Sequence, residues 1–275
     1  MKNISKSLFI SAFPVISLLV FIITLTEKQF TLHKIGLLIS SISVVIFFLM
    51  LFIKPVARTS KTLIFYSTLI VIGLVVNLID FNRNSLLISL SIALGWLAYL
   101  TWYSTFLKRD TSVLTVGKKL PDFSFENPQQ EIVNITSYNG DFKILLFYRG
   151  NWCPLCMAQI KEVVNQYKEL EKRNIDMLLI SPQPHKFTKS LAEKYQVPFH
   201  FLRDTNNKVA KQLKIAHENG LPAGFQALGY ESDVVLPTVI ITDKNNNIIF
   251  ADLTDNYRVR PEPETFLKII DNYKE

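Results

Sequence analysis

Hydrophobic and polar positions follow two different rhythms along this chain. In the first hundred residues the apolar positions form blocks: Ser7–Thr26, Ile35–Ile53, Thr62–Ile79 and Asn84–Leu107 carry no charge over 20, 19, 18 and 24 residues. An α-helix rises ~1.5 Å per residue, so ~20 residues cross the ~30 Å hydrocarbon layer of a bilayer. The pattern therefore predicts four transmembrane helices. Trp96, Tyr99, Trp102 and Tyr103 gather toward the end of the fourth block, as interfacial aromatics do. Four such helices in a soluble bundle would leave almost no polar outer face. The first block is read as retained and not as a cleaved signal, because it is long for a signal core and no small-x-small site precedes Glu27.

Beyond the polar connector Asp110–Lys119 the blocks shorten and alternate. Lys143–Tyr148 reads as a buried strand. Pro154–Arg173 reads as a helix, with Ile160, Val163, Val164, Tyr167 and Leu170 spaced by three and four. Met177–Ile180 follows as a strand, Phe187–Tyr195 as a helix, Phe199–Leu202 as a strand and Asn207–Leu213 as a helix. Val239–Thr242 and Ile248–Ala251 form a hairpin around an Asn-rich turn, and Pro263–Tyr273 a last helix. Strand–helix alternation of this kind predicts an α/β fold, a sheet between helices. The expected organisation is a helical anchor over 1–107, a linker over 108–116 and an α/β domain over 117–275 that folds on its own.

Charge sharpens the division. Only 19% of the 275 residues are charged, against roughly 25% in a soluble domain. The net charge of +7 splits into +6 over residues 1–107, where eight Lys/Arg face Glu27 and Asp80, and +1 over the rest, where 22 Lys/Arg meet 21 Asp/Glu. The basic excess lies between apolar blocks and not on one face, which argues against a nucleic-acid partner. Nine basic residues (Lys2, Lys6, Lys54, Arg58, Lys61, Lys108, Arg109, Lys118, Lys119) fall on one side of the blocks, and Lys28, Lys34 and Arg83 on the other. The positive-inside rule then places both termini, and with them the α/β domain of an integral membrane protein, in the cytoplasm. No ionisable residue or cysteine lies inside a block, so the lipid bilayer is the expected partner of these helices and anchoring their role. Asn77 is read as a contact between helices.

Two cysteines, Cys153 and Cys156, are too few for a disulfide scaffold or a four-cysteine zinc site. Their placement, where a buried strand runs into a helix, suits a redox-active dithiol. Unpaired N–H groups and the helix dipole favour a thiolate there, and three-residue spacing on one turn keeps the sulfurs within bonding reach. Pro154 fits the first helical turn. Arg149 is placed either to stabilise a thiolate or to flank the strand at the surface. Trp152 is placed as a packing and docking residue beside the sulfurs. His185 is assigned to the surface, His200 and His217 have no evident partner, Arg258 and Arg260 either reach the site or, as the preferred reading, lie in solvent, and no metal or cofactor is expected.

Pro121-Asp-Phe123, Phe147-Tyr148, Trp152-Cys-Pro-Leu-Cys156 and Leu236-Pro237-Thr238 together resemble the thioredoxin-like superfamily. More narrowly, residues 117–273 resemble the peroxiredoxin-like members of its alkyl hydroperoxide reductase/thiol-specific antioxidant branch. Tyr257-Arg-Val-Arg-Pro261 looks like the tail of that subgroup. The resemblance implies a thioredoxin-like fold, a central mixed sheet with helices on both faces, and a cis-proline at Pro237 facing the sulfurs. It also exposes departures. Where typical peroxiredoxins carry a threonine and a distant arginine in the peroxide pocket, this chain has Cys153 and Leu236.

The expected function is that of a membrane-anchored thiol–disulfide oxidoreductase, working on a protein or small-molecule thiol or disulfide and served by a reducing thiol donor. Thioredoxin logic makes Cys153 the attacking sulfur, and peroxiredoxin logic makes it Cys156. The rival readings are a thiol-dependent peroxidase and a non-catalytic membrane scaffold with a redox-sensing binding domain.

Overall fold

The computed structural model describes residues 2–27, 29, 31–106 and 109–274. The boundary expected between residues 107 and 108, and the loop residues Lys28 and Lys108, lie outside the described residues. The apolar blocks form α1 (Lys2–Thr26), α2 (Leu32–Ile53), α3 (Ile64–Ile79) and α4 (Arg83–Ala98), the last running on through a π turn, Tyr99–Tyr103. Among the described residues, three helices are long and apolar enough to cross a membrane: Asn3–Thr26, Leu32–Ile53 and Arg83–Tyr103. The third block forms a helix of only 16 residues, which at ~1.5 Å per residue falls short of ~30 Å. Its first residues are diverted: Leu63 takes a left-handed conformation (φ 45°) and gives its N–H to Ser60 Oγ.

The bundle is apolar outside and dotted with small polar groups inside. Phe52, Ile53, Phe65 and Ile79 are exposed, whereas Ser40, Ser41, Ser43, Asn77 and Ser89 are buried. The serines of α2 return their hydroxyls to carbonyls one turn earlier. Asn77 donates across to Ser89 on α4 at 2.9 Å. Gly36 and Gly73 let α2 and α3 approach so closely that a Cβ on Gly36 would lie 2.6 Å from Gly73 O. His33 Nδ1 meets Asp80 at 2.7 Å and ties the start of α2 to the end of α3.

The remaining chain builds a mixed sheet. Its strands are β1 (Ser124–Glu126), β2 (Ile132–Asn134), β3 (Phe142–Phe147), β4 (Ile175–Ser181), β5 (His200–Arg203), β8 (Thr238–Asp243) and β9 (Ile248–Asp252), with a separate pair, β6 (Ala216–His217) and β7 (Val234–Val235). The order is β2-β1-β5-β4-β3-β8-β9, with β3 parallel to β4 and antiparallel to β8. Successive side chains of a strand point to opposite faces, so Ile144 and Leu146 enter one core and Leu145 and Phe147 the other. The first face is covered by α5 (Pro154–Asn165), α7 (His185–Tyr195) and α9 (Pro263–Lys274), and the second by α8 (Lys208–Gln212). The expected fold class is therefore present, with helices on both faces of a mixed sheet. The helix expected over 154–173 is instead two, because Gln166 leaves the helical region (φ −97°, ψ 10°) before α6 (Tyr167–Glu171).

The two regions share one apolar core, in which Phe47, Trp96 and Tyr99 are continuous with Tyr257 and Cys153. Arg258, expected in solvent, is fully buried at the junction. Its guanidinium donates to Ser104 Oγ (2.8 Å), Thr59 Oγ1 (3.2 Å), Ser60 O (2.8 Å) and Lys61 O (2.9 Å). Polar acceptors of the α2–α3 loop replace water around it, which is why a charged side chain sits inside. Tyr99 and Tyr257 join their hydroxyls at 2.8 Å, and Arg58 pairs with Glu162 of α5.

Candidate active site

Strand β3 delivers Tyr148 and then a tight loop, Arg149–Trp152, to the start of α5. Gly150 has φ 146°, a conformation open to glycine, and a Cβ there would lie 2.7 Å from Trp152 Nε1. Asn151 pins the loop: its N–H donates to Gln183 Oε1 at 2.8 Å, and its side-chain carbonyl accepts from Tyr230. Cys153 is the N-cap of α5, Pro154 occupies the first turn, and Cys156 lies within that turn. Their sulfurs are 2.7 Å apart, both as free thiols, with Cys153 3% and Cys156 0% exposed.

The sequence leaves open which sulfur is the thiolate, and the electrostatics favour Cys156. Burial would raise the Cys156 thiol, but the Cys153 S–H, the charge and N–H groups of Arg260 and the backbone N–H of Arg149 overcome it, pulling Cys156 down to about 5. Cys153 is pushed well up, first by burial and then by its hydrogen bond to, and the charge of, its neighbour; Arg260 and Arg149 oppose this. The pair therefore holds one proton, on Cys153, and one negative charge, on Cys156. The helix N-terminus serves both residues, and Arg260 breaks the tie.

Arg260, also expected in solvent, is buried with both terminal nitrogens 3.5 Å from Cys156 Sγ. It is held by Gln159 Oε1 at 3.0 Å and Tyr257 O at 3.1 Å. A guanidinium thus stands beside the thiolate although Leu236 replaces the arginine of the family pattern.

Arg149 resolves to the interior. It donates to Gly220 O and stacks 4.8 Å from the Trp152 ring, and Tyr103 of the π turn lies in its electrostatic surroundings. Trp152 also packs on Phe225, ring centroids 5.7 Å apart. His217 is held near pH 3 by burial and by the charges of Arg149 and Lys6, so its imidazole is neutral at ordinary pH.

Pro237 corrects the expectation drawn from the resemblance: no cis peptide bond occurs among the described residues, and the bond before Pro237 is trans. Leu236 gives its N–H to Ile215 O at 2.8 Å, prolonging the β6–β7 pairing, and Thr238 already belongs to β8. An extended trans link joins the two without a turn. The Pro237 carbonyl accepts from Arg109 at 3.1 Å, and the residue does not line the cavity that reaches Cys153.

Tyr103, Gln159, Gly220 and Tyr257 have no place in the sequence reading of the site. The aromatic cluster and the Tyr257–Pro261 segment are conspicuous in the sequence, but nothing local shows that they converge on the sulfurs.

Residues 116–251 match the family model described as AhpC/TSA family. Peroxiredoxin Bcp of Escherichia coli is 29% identical over 145 residues, covering 52% of this chain and 90% of that protein. The putative peroxiredoxin bcp of Haemophilus influenzae is 28% identical over 102 residues (37% and 66%), and chloroplastic peroxiredoxin Q of Sedum lineare 27% over 99 residues (36% and 53%). The chain thus spans about half to two thirds of the length of these last two relatives. Among solved structures, peroxidoxin BcpB of Mycobacterium tuberculosis superposes with a TM-score of 0.48 at 15% identity, covering 58% of this chain and 98% of that one. Over residues 116–251, just under half of the chain, the sequence is similar to the AhpC/TSA family, the peroxiredoxin-like branch of the thioredoxin-like superfamily.

Proposed function

We propose that this chain is a membrane-anchored thiol–disulfide oxidoreductase whose working couple is Cys153/Cys156. The observation that carries the reading is the division between the two sulfurs. Cys153 lines a cavity, whereas Cys156 is enclosed against Arg260. In the oxidised form a substrate thiolate attacks Cys153 Sγ, the Cys153–Cys156 bond breaks, and Cys156 leaves as a thiolate beside Arg260. A second substrate thiolate attacks the mixed disulfide at the substrate sulfur, and Cys153 departs and takes a proton. Two substrate thiols become a disulfide and the protein's disulfide becomes one thiol and one thiolate. A low-pKa leaving group speeds the first step, and stabilising the reduced form makes the couple more oxidising. The reverse sequence reduces a substrate disulfide when a thiol donor keeps the pair reduced.

The anchor is assigned to all four helices. The short α3 packs between α2 and α4, and its exposed Phe65 and Ile79 continue the apolar surface of the other three. With 1–107 as anchor, 108–116 as linker and 117–275 as redox domain, the nine-to-three distribution of loop charges supports a cytoplasmic domain.

A second reading, thiol peroxidase, is favoured by the Arg260–Cys156 contact and by relatives that bear the name peroxiredoxin. In it the Cys156 thiolate takes the peroxide oxygen and Cys153 closes the disulfide. Stopped-flow kinetics on the full chain separates the two. Reduction of its disulfide by a small dithiol is expected to outpace oxidation of the reduced pair by hydrogen peroxide; peroxide oxidation at the rate of an efficient peroxidase, with slower dithiol exchange, would make the second reading correct.

A further inference from the structure

The cavity that reaches Cys153 measures about 390 Å³ and is walled by both regions of the chain. Pro14 of α1 and Phe48 and Phe52 of α2 form one side, and Trp152 and Phe225 the other. Among the described residues that line it, Arg149 is the one that carries a charge. Arg149 is 5% exposed, and its buried Nε–H has no partner among the described residues. The cavity therefore offers an apolar body-binding surface, a buried cationic donor in its lining and the Cys153 sulfur in the same lining. A water-soluble thiol such as glutathione, with its charges, would have to lose hydration against phenyl rings to reach Cys153. An apolar body carrying one anionic sulfur matches each wall in turn.

From this we infer that the cavity is a substrate site for a thiol carried on an apolar body, which reaches Cys153 between α1 and α2 and reacts there as its thiolate beside Arg149. The inference rests on the thiol–disulfide reading above. The new bond joins the substrate sulfur to Cys153 Sγ, the Cys153–Cys156 bond breaks, and the electron pair of that bond leaves on Cys156. The oxidant is the protein's own disulfide, and the proton of the substrate thiol goes to solvent as the thiolate forms. Two sources share this chemistry: a small lipophilic thiol, or a cysteine in an apolar polypeptide segment.

The test uses the oxidised full chain in detergent micelles and follows appearance of its thiols. A series of n-alkanethiols from ethyl to octyl, with similar thiol pKa values, is compared with glutathione. A freely exposed reference disulfide in the same micelles corrects for partitioning. A fully buried methylene is worth about fourfold in binding, so the corrected rate is expected to rise at least about tenfold from ethyl to octyl, with glutathione at the slow end. An apolar peptide with a single cysteine that follows octanethiol identifies a polypeptide source, and octanethiol reacting alone identifies a small one. Filling the cavity by Ala223→Phe should flatten the series. Should that variant not fold, octyl methyl thioether, which has no thiol, should slow octanethiol in the unaltered protein while leaving the exposed reference disulfide unaffected. A flat corrected series in which every thiol reacts overturns the inference and leaves thiol–disulfide exchange standing. Failure of every thiol to reduce the pair overturns the exchange reading itself.

Discussion

The helical region and the α/β region solve burial in opposite directions. Around β3 the apolar side chains point inward on both faces, with Ile144, Leu145 and Leu146 fully buried. In the bundle, Ser40, Ser41, Asn77 and Ser89 occupy the interior while Phe52, Ile53, Phe65 and Ile79 face outward. The first arrangement suits water as the surrounding solvent and the second suits hydrocarbon. The two meet at a junction that is neither. Arg258 sits there with no carboxylate bonded to its guanidinium among the described residues, solvated by loop carbonyls and hydroxyls of the bundle. Two residues further on, Arg260 reaches the Cys156 thiolate. The contrast teaches that the dithiol is not independent of the helical bundle: the segment that seats the bundle on the α/β region also charges the site.

The largest expected effect breaks the junction. Arg258→Met removes a fully buried guanidinium with four hydrogen bonds and leaves Ser60 O and Lys61 O, on exposed loop residues, without that donor. Hydrogen bonds to charged groups contribute ~1.5–3 kcal/mol each, so a loss of ~3 kcal/mol or more is expected in thermal unfolding of the full chain in detergent. An unchanged midpoint would mean that the two regions are independent.

The next effect sharpens the electrostatic half of the comparison. An opposite charge at this range depresses a pKa by about 1–3, so Arg260→Gln should raise the apparent pKa of Cys156 from about 5 by that amount, read from thiolate ultraviolet absorbance. Stability should follow. Because the folded pKa of Cys156 is depressed, its contribution is fully present above the unfolded thiol pKa and is lost as pH falls through about 5. The raised pKa of Cys153 works the other way: its contribution is present below the unfolded thiol pKa and is lost as pH rises toward its folded pKa. The reduced protein should therefore lose stability relative to the disulfide form as the solution is acidified from about pH 8.5 to 5, the unfolded thiol pKa being ~8.5. A flat difference over that range would remove the thiolate from Cys156.

The smallest effect concerns the reach of the bundle into the site. Tyr103→Phe removes a hydroxyl from the electrostatic surroundings of Arg149, a change on the scale of one hydrogen bond, ~0.5–1.5 kcal/mol. Dithiol exchange should slow by roughly two- to tenfold, with the Cys156 pKa nearly unchanged. No change in rate would place Tyr103 outside the working site.

Legibility in the sequence followed the range of the interactions involved. Strand β3, the start of α5 and the 153/156 spacing are local: alternation, a proline in the first turn and three-residue spacing are written within a dozen residues. Arg260 is 104 residues from Cys156, and Arg258 is 154 from Ser104; no periodicity relates them, so both were assigned to solvent. Which cysteine bears the charge depended on that distant guanidinium. The start of α3 was misjudged for a similar reason, since Thr62 and Leu63 extend an uncharged block while the carbonyls just before them are held by Arg258. Pro237 was placed through the resemblance, and the trans bond reflects a local pairing, Leu236 with Ile215, that the motif does not encode.

The central claim is that exchange happens at Cys153 while Cys156 holds the charge. Trapping tests it most directly: Cys156→Ser and Cys153→Ser proteins are each incubated with a thiol-reactive mixed disulfide, and the adduct is located by mass spectrometry at several times. A lone thiol can still react in either variant, so the product that matters is the one competent for exchange. In the Cys156→Ser protein a stable adduct on Cys153 is expected, released by added substrate thiol, whereas the enclosed Cys156 of the Cys153→Ser protein should be modified far more slowly despite its lower pKa. Faster modification at Cys156 than at Cys153 would contradict the account.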